Sequence, residues 1–200
     1  MNNMQPPMST KSADDFQTPT YAIDPLLPFI LKDKIIWECA SGNGNLVRAF
    51  ENEGYKVVSS DISEGKDFLT YEPNNYDIII TNPPYSLKEE FLERAYNLGK
   101  PFAFLLPLTT LEGKFRQSLF KKYGIEILLL NKRINFETPS KKGGGSWFAT
   151  AWFCWKLLPD KIMFGDLNTK KSFTASELLD SKIFGILKYV NEADGEYKSD

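Results

Sequence analysis

The chain has 200 residues, which suits one domain, and its 42% hydrophobic and 25% charged content predicts a packed, soluble protein. It contains no histidine, which excludes Ser-His-Asp triads, Cys-His dyads and histidine-ligated metal sites. The net charge of −2 excludes a globally basic nucleic-acid binder, so any nucleic-acid surface has to be local. The apolar runs are too short for a membrane span and no secretory signal is recognisable, so we expect a cytoplasmic protein.

The chain contains two cysteines, Cys39 and Cys154, which lie far apart in apolar stretches. So few cysteines exclude a disulfide framework and a cysteine-cluster zinc site. We expect both to be buried, unreactive thiols, and we expect no bound metal.

Three regions are predicted from composition. Residues 1–14 are polar and lack periodicity, which is typical of a disordered tail. Residues 15–158 alternate between strand and helix signals and form the predicted domain. Residues 159–200 form an extension that is partly helical, with a helix start signal at 174–177.

Strands are predicted where β-branched and aromatic residues cluster, at 34–38, 56–60, 76–81, 101–106, 125–130 and 146–156. The first predicted helix follows Gly44 and ends near Gly54. Two more helices are predicted from capping boxes at 86–89 and 109–112, ending at Gly99 and Gly124 respectively.

This alternation predicts a doubly wound, mostly parallel α/β sheet of the Rossmann-like kind. No helix signal separates the last two strands, so we expect them to form an antiparallel hairpin at an edge. The cluster of aromatic residues in the last strand, which includes Trp147, Phe148, Trp152, Phe153 and Trp155, is expected to be core.

The first candidate binding segment, residues 38–44, follows the first predicted strand. Gly42 and Gly44 allow a tight turn and a close approach of the backbone to a ligand. Val47 stands where a dinucleotide-binding fingerprint has its third glycine, which argues against NAD. A plain strand-to-helix turn is the alternative.

Acidic residues follow the second predicted strand. Asp61 lies at its end, where a carboxylate can accept hydrogen bonds from two ribose hydroxyls. Asp67 and Phe68 would add an acceptor and an apolar face for an adenine ring. A helix cap or a solvated acid is the alternative for Asp61.

The segment Thr81-Asn82-Pro83-Pro84-Tyr85 follows the most apolar predicted strand. The prolines hold the backbone extended, so we expect carbonyls of this segment to stay free. Together with the Asn82 side-chain oxygen they would hold an amino group on a planar system, on which the Tyr85 ring can stack. A proline turn before a helix is the alternative.

Over residues 16–155 these features resemble the class I S-adenosylmethionine-dependent methyltransferases, specifically the amino-group methyltransferases with an Asn-Pro-Pro-Tyr motif. The resemblance implies S-adenosylmethionine as cofactor and a doubly wound fold. Residues 16–19 resemble an element that contacts the methionine end of the cofactor in DNA adenine-N6 methyltransferases. The cofactor residues it implies are Phe16, Thr18, Pro19, Glu38, Ala40, Gly42, Gly44, Asp61, Asp67, Phe68 and Asn82.

The same resemblance implies a mechanism on DNA. The adenine is flipped out of its stack, its amino group donates to Asn82 and to the Pro83 carbonyl, and its nitrogen attacks the cofactor methyl. Asn82, Pro83, Pro84 and Tyr85 are the implied catalytic set. Tyr85 and Phe136 would stack on the base, and four basic residues of the loop 131–145 would contact phosphates, namely Lys132, Arg133, Lys141 and Lys142.

Two other readings stay open from the sequence. RNA adenine and guanine methyltransferases carry the same four-residue motif, so RNA is the alternative substrate. A cofactor-binding or nucleic-acid-binding subunit without catalysis is the alternative outside enzymes. The sequence leaves the oligomeric state and the recognition sequence open. Few residues follow the last predicted strand, so the need for a separate recognition subunit is open as well.

Overall fold

The computed structural model describes residues 17–136 and 148–167, which form a seven-stranded sheet with helices on both faces. The strands are β1 (Ile35–Glu38), β2 (Lys56–Ser59), β3 (Ile78–Thr81), β4 (Phe102–Pro107), β5 (Glu126–Leu130), β6 (Thr150–Trp155) and β7 (Ile162–Gly165). The α-helices are α1 (Asn45–Asn52), α2 (Lys88–Leu98) and α3 (Lys114–Tyr123). Short 3-10 segments cover Thr20–Phe29, Ile62–Glu64, Tyr85–Leu87 and Leu108–Leu111. The predicted doubly wound α/β class is confirmed.

The strand order is β2-β1-β3-β4-β6-β5-β7. Strands β2, β1, β3 and β4 are parallel neighbours, while β6 runs antiparallel to both β4 and β5. The predicted antiparallel pair of β5 and β6 is therefore confirmed. It is not the outermost element, because β7 pairs in parallel with β5 on its outer side. Ile162–Gly165 is a short, partly exposed strand that no apolar run had indicated.

Side chains of the central strands alternate between two packed layers. On one face, Ala103 and Leu105 of β4 pack with α1 and the 3-10 segment at Thr20–Phe29. On the other face, Phe102, Phe104 and Leu106 pack with α2 and α3. Burial on both faces explains why these strands are nearly continuous runs of apolar residues.

The aromatic strand β6 is core, as predicted for its described residues. Trp152 is fully buried and its indole N–H donates to the Ala22 carbonyl at 3.0 Å. The Trp155 indole N–H donates to the Tyr123 carbonyl at 2.9 Å. Cys39 and Cys154 are both buried, as expected, and are not joined in a disulfide.

Both predicted capping boxes are wrong. Ser86 lies inside the 3-10 segment Tyr85–Leu87, and α2 begins only at Lys88, without a side-chain cap. Thr109 likewise lies inside a 3-10 segment, and α3 begins after Gly113. In both places a proline, Pro84 or Pro107, directly precedes a 3-10 segment. The first residues of the predicted capping box lie in that 3-10 segment, and the α-helix begins only after it. The helix ends at Gly99 and Gly124 are as predicted.

Several expectations fall on residues outside the described part. These are the tail 1–14, Phe16, Lys141, Lys142, Trp147 and the extension after residue 167. Strand β7 lies beyond position 158, where the domain was predicted to end. None of the helices in residues 17–136 and 148–167 has the length and hydropathy of a membrane span.

Candidate active site

Segments that follow three neighbouring parallel strands meet at one edge of the sheet. Strands β2, β1 and β3 all point their carboxyl ends there, so the residues that come after them converge. They line a cleft of about 340 Å³. That volume lies within the range of roughly 300–1,000 Å³ that is usual for small-molecule sites.

Glu38 at the end of β1 and Ala40 and Gly42 in the turn that follows contribute to the cleft wall. Gly42 has φ +47°, a left-handed conformation in which glycine is strongly favoured over other residues. Gly44 is placed differently: it is the N-cap of α1, and its N–H donates to the Ser41 carbonyl at 2.7 Å. Gly44 therefore shapes the turn and is not part of the described cleft lining.

Glu38 is a carboxyl group buried at the end of β1, with 1% of its surface exposed. Its Oε1 accepts hydrogen bonds from the Ala40 N–H at 3.1 Å and from the Thr81 hydroxyl on β3. Within the described residues its Oε2 is buried and accepts no hydrogen bond. Burial raises the pKa of Glu38 to about 8, even though the hydrogen bonds from Thr81 and Ala40 lower it.

Asp61 follows β2 and is tied to the turn after β1. Its Oδ2 accepts from the Gly42 N–H at 2.9 Å, and its Oδ1 accepts from the Ser63 N–H at 2.9 Å and the Ser63 hydroxyl at 2.7 Å. Partial burial raises the pKa of Asp61, but the bonds from Ser63 and Gly42 outweigh it, so the pKa lies below its ordinary value. The group is an ionised acceptor at the cleft wall, and it also caps the 3-10 segment Ile62–Glu64.

Asp67 and Phe68 both line the cleft, as the sequence indicated. Asp67 Oδ1 accepts from the Leu69 N–H at 2.9 Å, which fixes the local turn. Phe68 is 2% exposed, and its ring stacks on Phe91 of α2 with 4.6 Å between the ring centroids. Phe68 therefore forms a rigid apolar wall.

The segment before the first helical turn closes another side of the cleft. Gln17 and Thr18 line it, and Thr18 is buried. Pro19 does not line the cleft but serves as the N-cap of the Thr20–Phe29 segment.

The Asn-Pro-Pro-Tyr segment follows β3 and lies at the same edge. Asn82 and Pro84 line the cleft, while Pro83 is buried and is not among the lining residues. One carbonyl that was expected to stay free is used, since the Pro84 oxygen accepts from the Leu87 N–H at 3.0 Å. That bond starts the 3-10 turn which displaced the predicted capping box.

An aromatic residue from a distant segment contacts Tyr85. Phe148, just before β6, contacts the Tyr85 ring edge-on at 5.7 Å and stacks against Phe136 at 6.2 Å. Phe136 itself is 4% exposed and belongs to the core. The expected stacking role of Phe136 is untested, and Phe148 was assigned to the core with its neighbours in the sequence.

Lys132 and Arg133 are exposed and follow β5. Strand β5 runs parallel to β4, so its carboxyl end is at the edge of the sheet that holds the cleft. Their predicted contact with phosphates stays a prediction.

Sequence reasoning missed several residues of the cleft. Ile62 lines it and is 70% exposed, an unusual exposure for an isoleucine. Its position directly after Asp61 was the available signal. The other missed lining residues are Gln17, Cys39, Ser41, Asn45, Leu46, Leu87 and Phe91.

No protein-family model matches the sequence, and no curated protein matches it. Among solved structures, the chain is similar to a Listeria monocytogenes protein described as a class I S-adenosylmethionine-dependent methyltransferase. The two share 17% identity over 84% of this chain and 72% of the other, with a TM-score of 0.54.

Two further structures match with lower TM-scores. A Vibrio vulnificus protein described as the modification subunit of a type I restriction enzyme shares 14% identity over 94% of this chain and 55% of its own, with a TM-score of 0.48. A Pyrococcus horikoshii protein described as an RNA methyltransferase shares 15% identity over 68% of this chain and 77% of its own, with a TM-score of 0.45. The Listeria likeness is a likeness of fold, and it agrees with the sheet described above: the chain has the fold of the class I methyltransferases.

Proposed function

We propose that this chain transfers a methyl group from S-adenosylmethionine to the exocyclic N6 amino group of adenine in DNA. One observation supports this above all others. Asn82 and Pro84 of the Asn-Pro-Pro-Tyr segment line the same cleft as Glu38, Gly42 and Asp61. A site for an amino group and a site for the cofactor would therefore share one chamber.

The charged and apolar residues of the cleft support S-adenosylmethionine as its ligand. Buried Glu38 Oε2 would accept from an ammonium group, and the ionised Asp61 carboxylate would accept from ribose hydroxyls. Phe68 and Ile62, which line the cleft, would supply apolar contact for a purine ring. When bound, the cofactor would supply an electrophilic methyl group.

The chain's own residues would orient the target amino group. The side-chain oxygen of Asn82 would accept one N–H of the amino group, and the Pro83 carbonyl would be the second acceptor. Two acceptors would hold the nitrogen lone pair towards the cofactor side of the cleft. Orientation of this kind contributes up to roughly 7–11 kcal/mol to catalysis in the best cases.

A flipped base would meet aromatic surface at the mouth of the site. Tyr85 is half-buried beside Asn82 and contacts Phe148 edge-on. Stacking on such rings is worth about 1–3 kcal/mol per base in single-strand binding, which helps to offset unstacking from the duplex. Exposed Lys132 and Arg133 would contact the phosphates nearby.

The test is methyl transfer from labelled S-adenosylmethionine to unmethylated duplex DNA, single-stranded DNA and bulk RNA, with nucleoside analysis of the product. We expect N6-methyladenine in DNA. Asn82→Ala should lower kcat by about 10²- to 10³-fold, the usual cost of losing one preorganised hydrogen-bonding group. Asn97→Ala, which changes an exposed asparagine at the far end of α2, is the matched control and should leave the rate unchanged.

Each outcome is informative. Label in RNA alone would overturn DNA as substrate and leave the amino-transfer site in place. Label that survives Asn82→Ala would overturn the assigned role of the Asn-Pro-Pro-Tyr segment. Failure to bind S-adenosylmethionine at all would overturn the proposal as a whole.

A further inference from the structure

Among the acidic and basic side chains of the described residues, only acids line the cleft. They are Glu38, Asp61 and Asp67, and no lysine or arginine is among the lining residues there. A cleft lined by one sign of charge attracts ligands of the opposite sign. The ligand that suits this cleft therefore carries a positive charge.

Glu38 differs from the other two acids in its surroundings. Asp61 is partly exposed and takes three hydrogen bonds from Gly42 and Ser63. Glu38 is 1% exposed and takes its two hydrogen bonds on Oε1 alone, while Oε2 lines a buried position that has no hydrogen-bond donor within the described residues. An ionised carboxylate in this position is costly, whereas a protonated carboxyl is not.

The groups around Glu38 do not supply the missing positive charge. Thr81 on β3 is a neutral hydroxyl, and the Cys39 thiol is neutral because burial raises its pKa well above the ordinary value. Asp61, from the end of β2, is a second negative charge and disfavours ionisation of Glu38. Burial is the largest effect, and together with Asp61 it raises the pKa of Glu38 to about 8.

We propose that a cationic ligand entering this cleft displaces a proton from Glu38, so that cofactor binding is coupled to proton release. The O–H bond of the Glu38 carboxyl breaks, the proton passes to a buffer base in solution, and the carboxylate pairs with the ligand's ammonium group. The inference rests on the proposed function, because S-adenosylmethionine is the cation intended.

Proton release on binding makes the affinity for S-adenosylmethionine depend on pH in one direction. The ligand selects the ionised form of Glu38, which is the minor form below pH 8 when the cleft holds no ligand. The dissociation constant of S-adenosylmethionine should therefore rise as pH falls from 8 towards 6, by at most about tenfold per pH unit. Above pH 8 this contribution should level off.

The test is isothermal titration calorimetry of the full chain with S-adenosylmethionine at pH 7, in phosphate and in Tris. These buffers differ in ionisation enthalpy, so the difference in observed heat counts the protons released. We expect close to one proton for S-adenosylmethionine. We expect none for 5′-methylthioadenosine, which has the adenosine end but lacks the amino-acid end.

Two variants complete the test. Glu38→Gln keeps the shape but has no proton to lose, so it should bind S-adenosylmethionine about tenfold more weakly with no release attributable to this site. The remaining signal in Glu38→Gln corrects for the ligand's own amino group, whose pKa lies near 8. Glu51→Gln on the exposed face of α1 is the matched control and should release as many protons as the unaltered chain.

The outcomes separate the two proposals. If the unaltered chain binds no S-adenosylmethionine, the proposed function fails. If it binds the cofactor but releases equal numbers of protons with and without Glu38, or with both ligands, the proton coupling is wrong and the proposed function stands. Should Glu38→Gln fail to fold, the comparison of the two ligands on the unaltered chain still decides the question.

Discussion

The backbone N–H of Gly42 donates to Oδ2 of Asp61 at 2.9 Å, and this bond joins the turn after β1 to the turn after β2. It holds the carboxylate at the cleft wall while the second oxygen is held by Ser63. Gly42 can present its N–H in this direction because it adopts φ +47°. The acid proposed to bind ribose and the glycine-rich turn are therefore one structural unit.

Asp61→Ala should weaken binding of S-adenosylmethionine by about 10- to 100-fold. The change removes a charged acceptor, and hydrogen bonds to charged groups are worth about 1.5–3 kcal/mol each. Asp61→Asn keeps one acceptor oxygen, so its affinity for S-adenosylmethionine should lie between those of the unaltered chain and Asp61→Ala. Calorimetry on each variant measures this, with the exposed Asp33→Ala as control. An unaltered dissociation constant in Asp61→Ala would remove Asp61 from the cofactor site.

Substitutions at Tyr85 test whether its aromatic ring contacts the substrate. Tyr85→Ala should raise KM for DNA by about tenfold or more, because a stacking partner worth about 1–3 kcal/mol is lost. Tyr85→Phe keeps the ring and should change KM by no more than a few fold. The affinity for S-adenosylmethionine should be the same in both variants, since Tyr85 is not among the residues that line the cleft. Equal KM values for Ala and Phe would contradict a stacking role.

Local residue chemistry made much of the site predictable. Glycines that allow a tight turn, an acid at a strand end and prolines after an apolar strand each impose a conformation or offer a specific group. Because parallel strands end at one edge, Gly42, Asp61 and Asn82 had to converge once the sheet was predicted. The structure places all three in the cleft.

The features that were missed depend on contacts between distant segments. Phe148 reaches Tyr85 because β6 pairs antiparallel with β4, with Thr150 opposite Pro107. No local pattern determines that register. Likewise, β7 is four residues long and half exposed, and it is a strand because β5 offers it an edge. The Ser86 capping box failed because the 3-10 turn after Pro84 takes up the residues that would have formed it.

The buried carboxyl of Glu38 should make the stability of the ligand-free protein depend on pH. Burial raises its pKa from an ordinary value of 4.5 to about 8, so between these limits the folded state holds a proton that the unfolded chain has lost. The free energy of unfolding should therefore fall as pH rises from about 5 to 8, by at most about 1.4 kcal/mol per pH unit from this group. It should level off above pH 8.

Urea denaturation at intervals between pH 5.5 and 8.5 measures this dependence. The difference between the unaltered chain and Glu38→Gln isolates the contribution of the one carboxyl, because the other titrating groups are common to both. We expect the free energy of unfolding of Glu38→Gln, relative to that of the unaltered chain, to increase between pH 5.5 and pH 8.5. Parallel curves across the whole range would show that Glu38 ionises freely in the folded state.

Gly165 gives a test of where β7 lies. A Cβ at this position would stand 2.6 Å from Pro25 Cβ and 3.1 Å from Leu128 Cδ1, so a side chain has no room. Gly165→Ala should lower the free energy of unfolding by about 1–3 kcal/mol, and Gly165→Val by more, through overpacking. If the position had open space beside it, Gly165→Val would instead be more stable than Gly165→Ala, because β-branched residues favour strands. The neighbouring Phe164, which is 81% exposed, supplies the control: Phe164→Val should stay within about 0.5 kcal/mol of the unaltered chain. If Gly165→Val proves as stable as the unaltered chain, β7 does not pack against the Thr20–Phe29 segment.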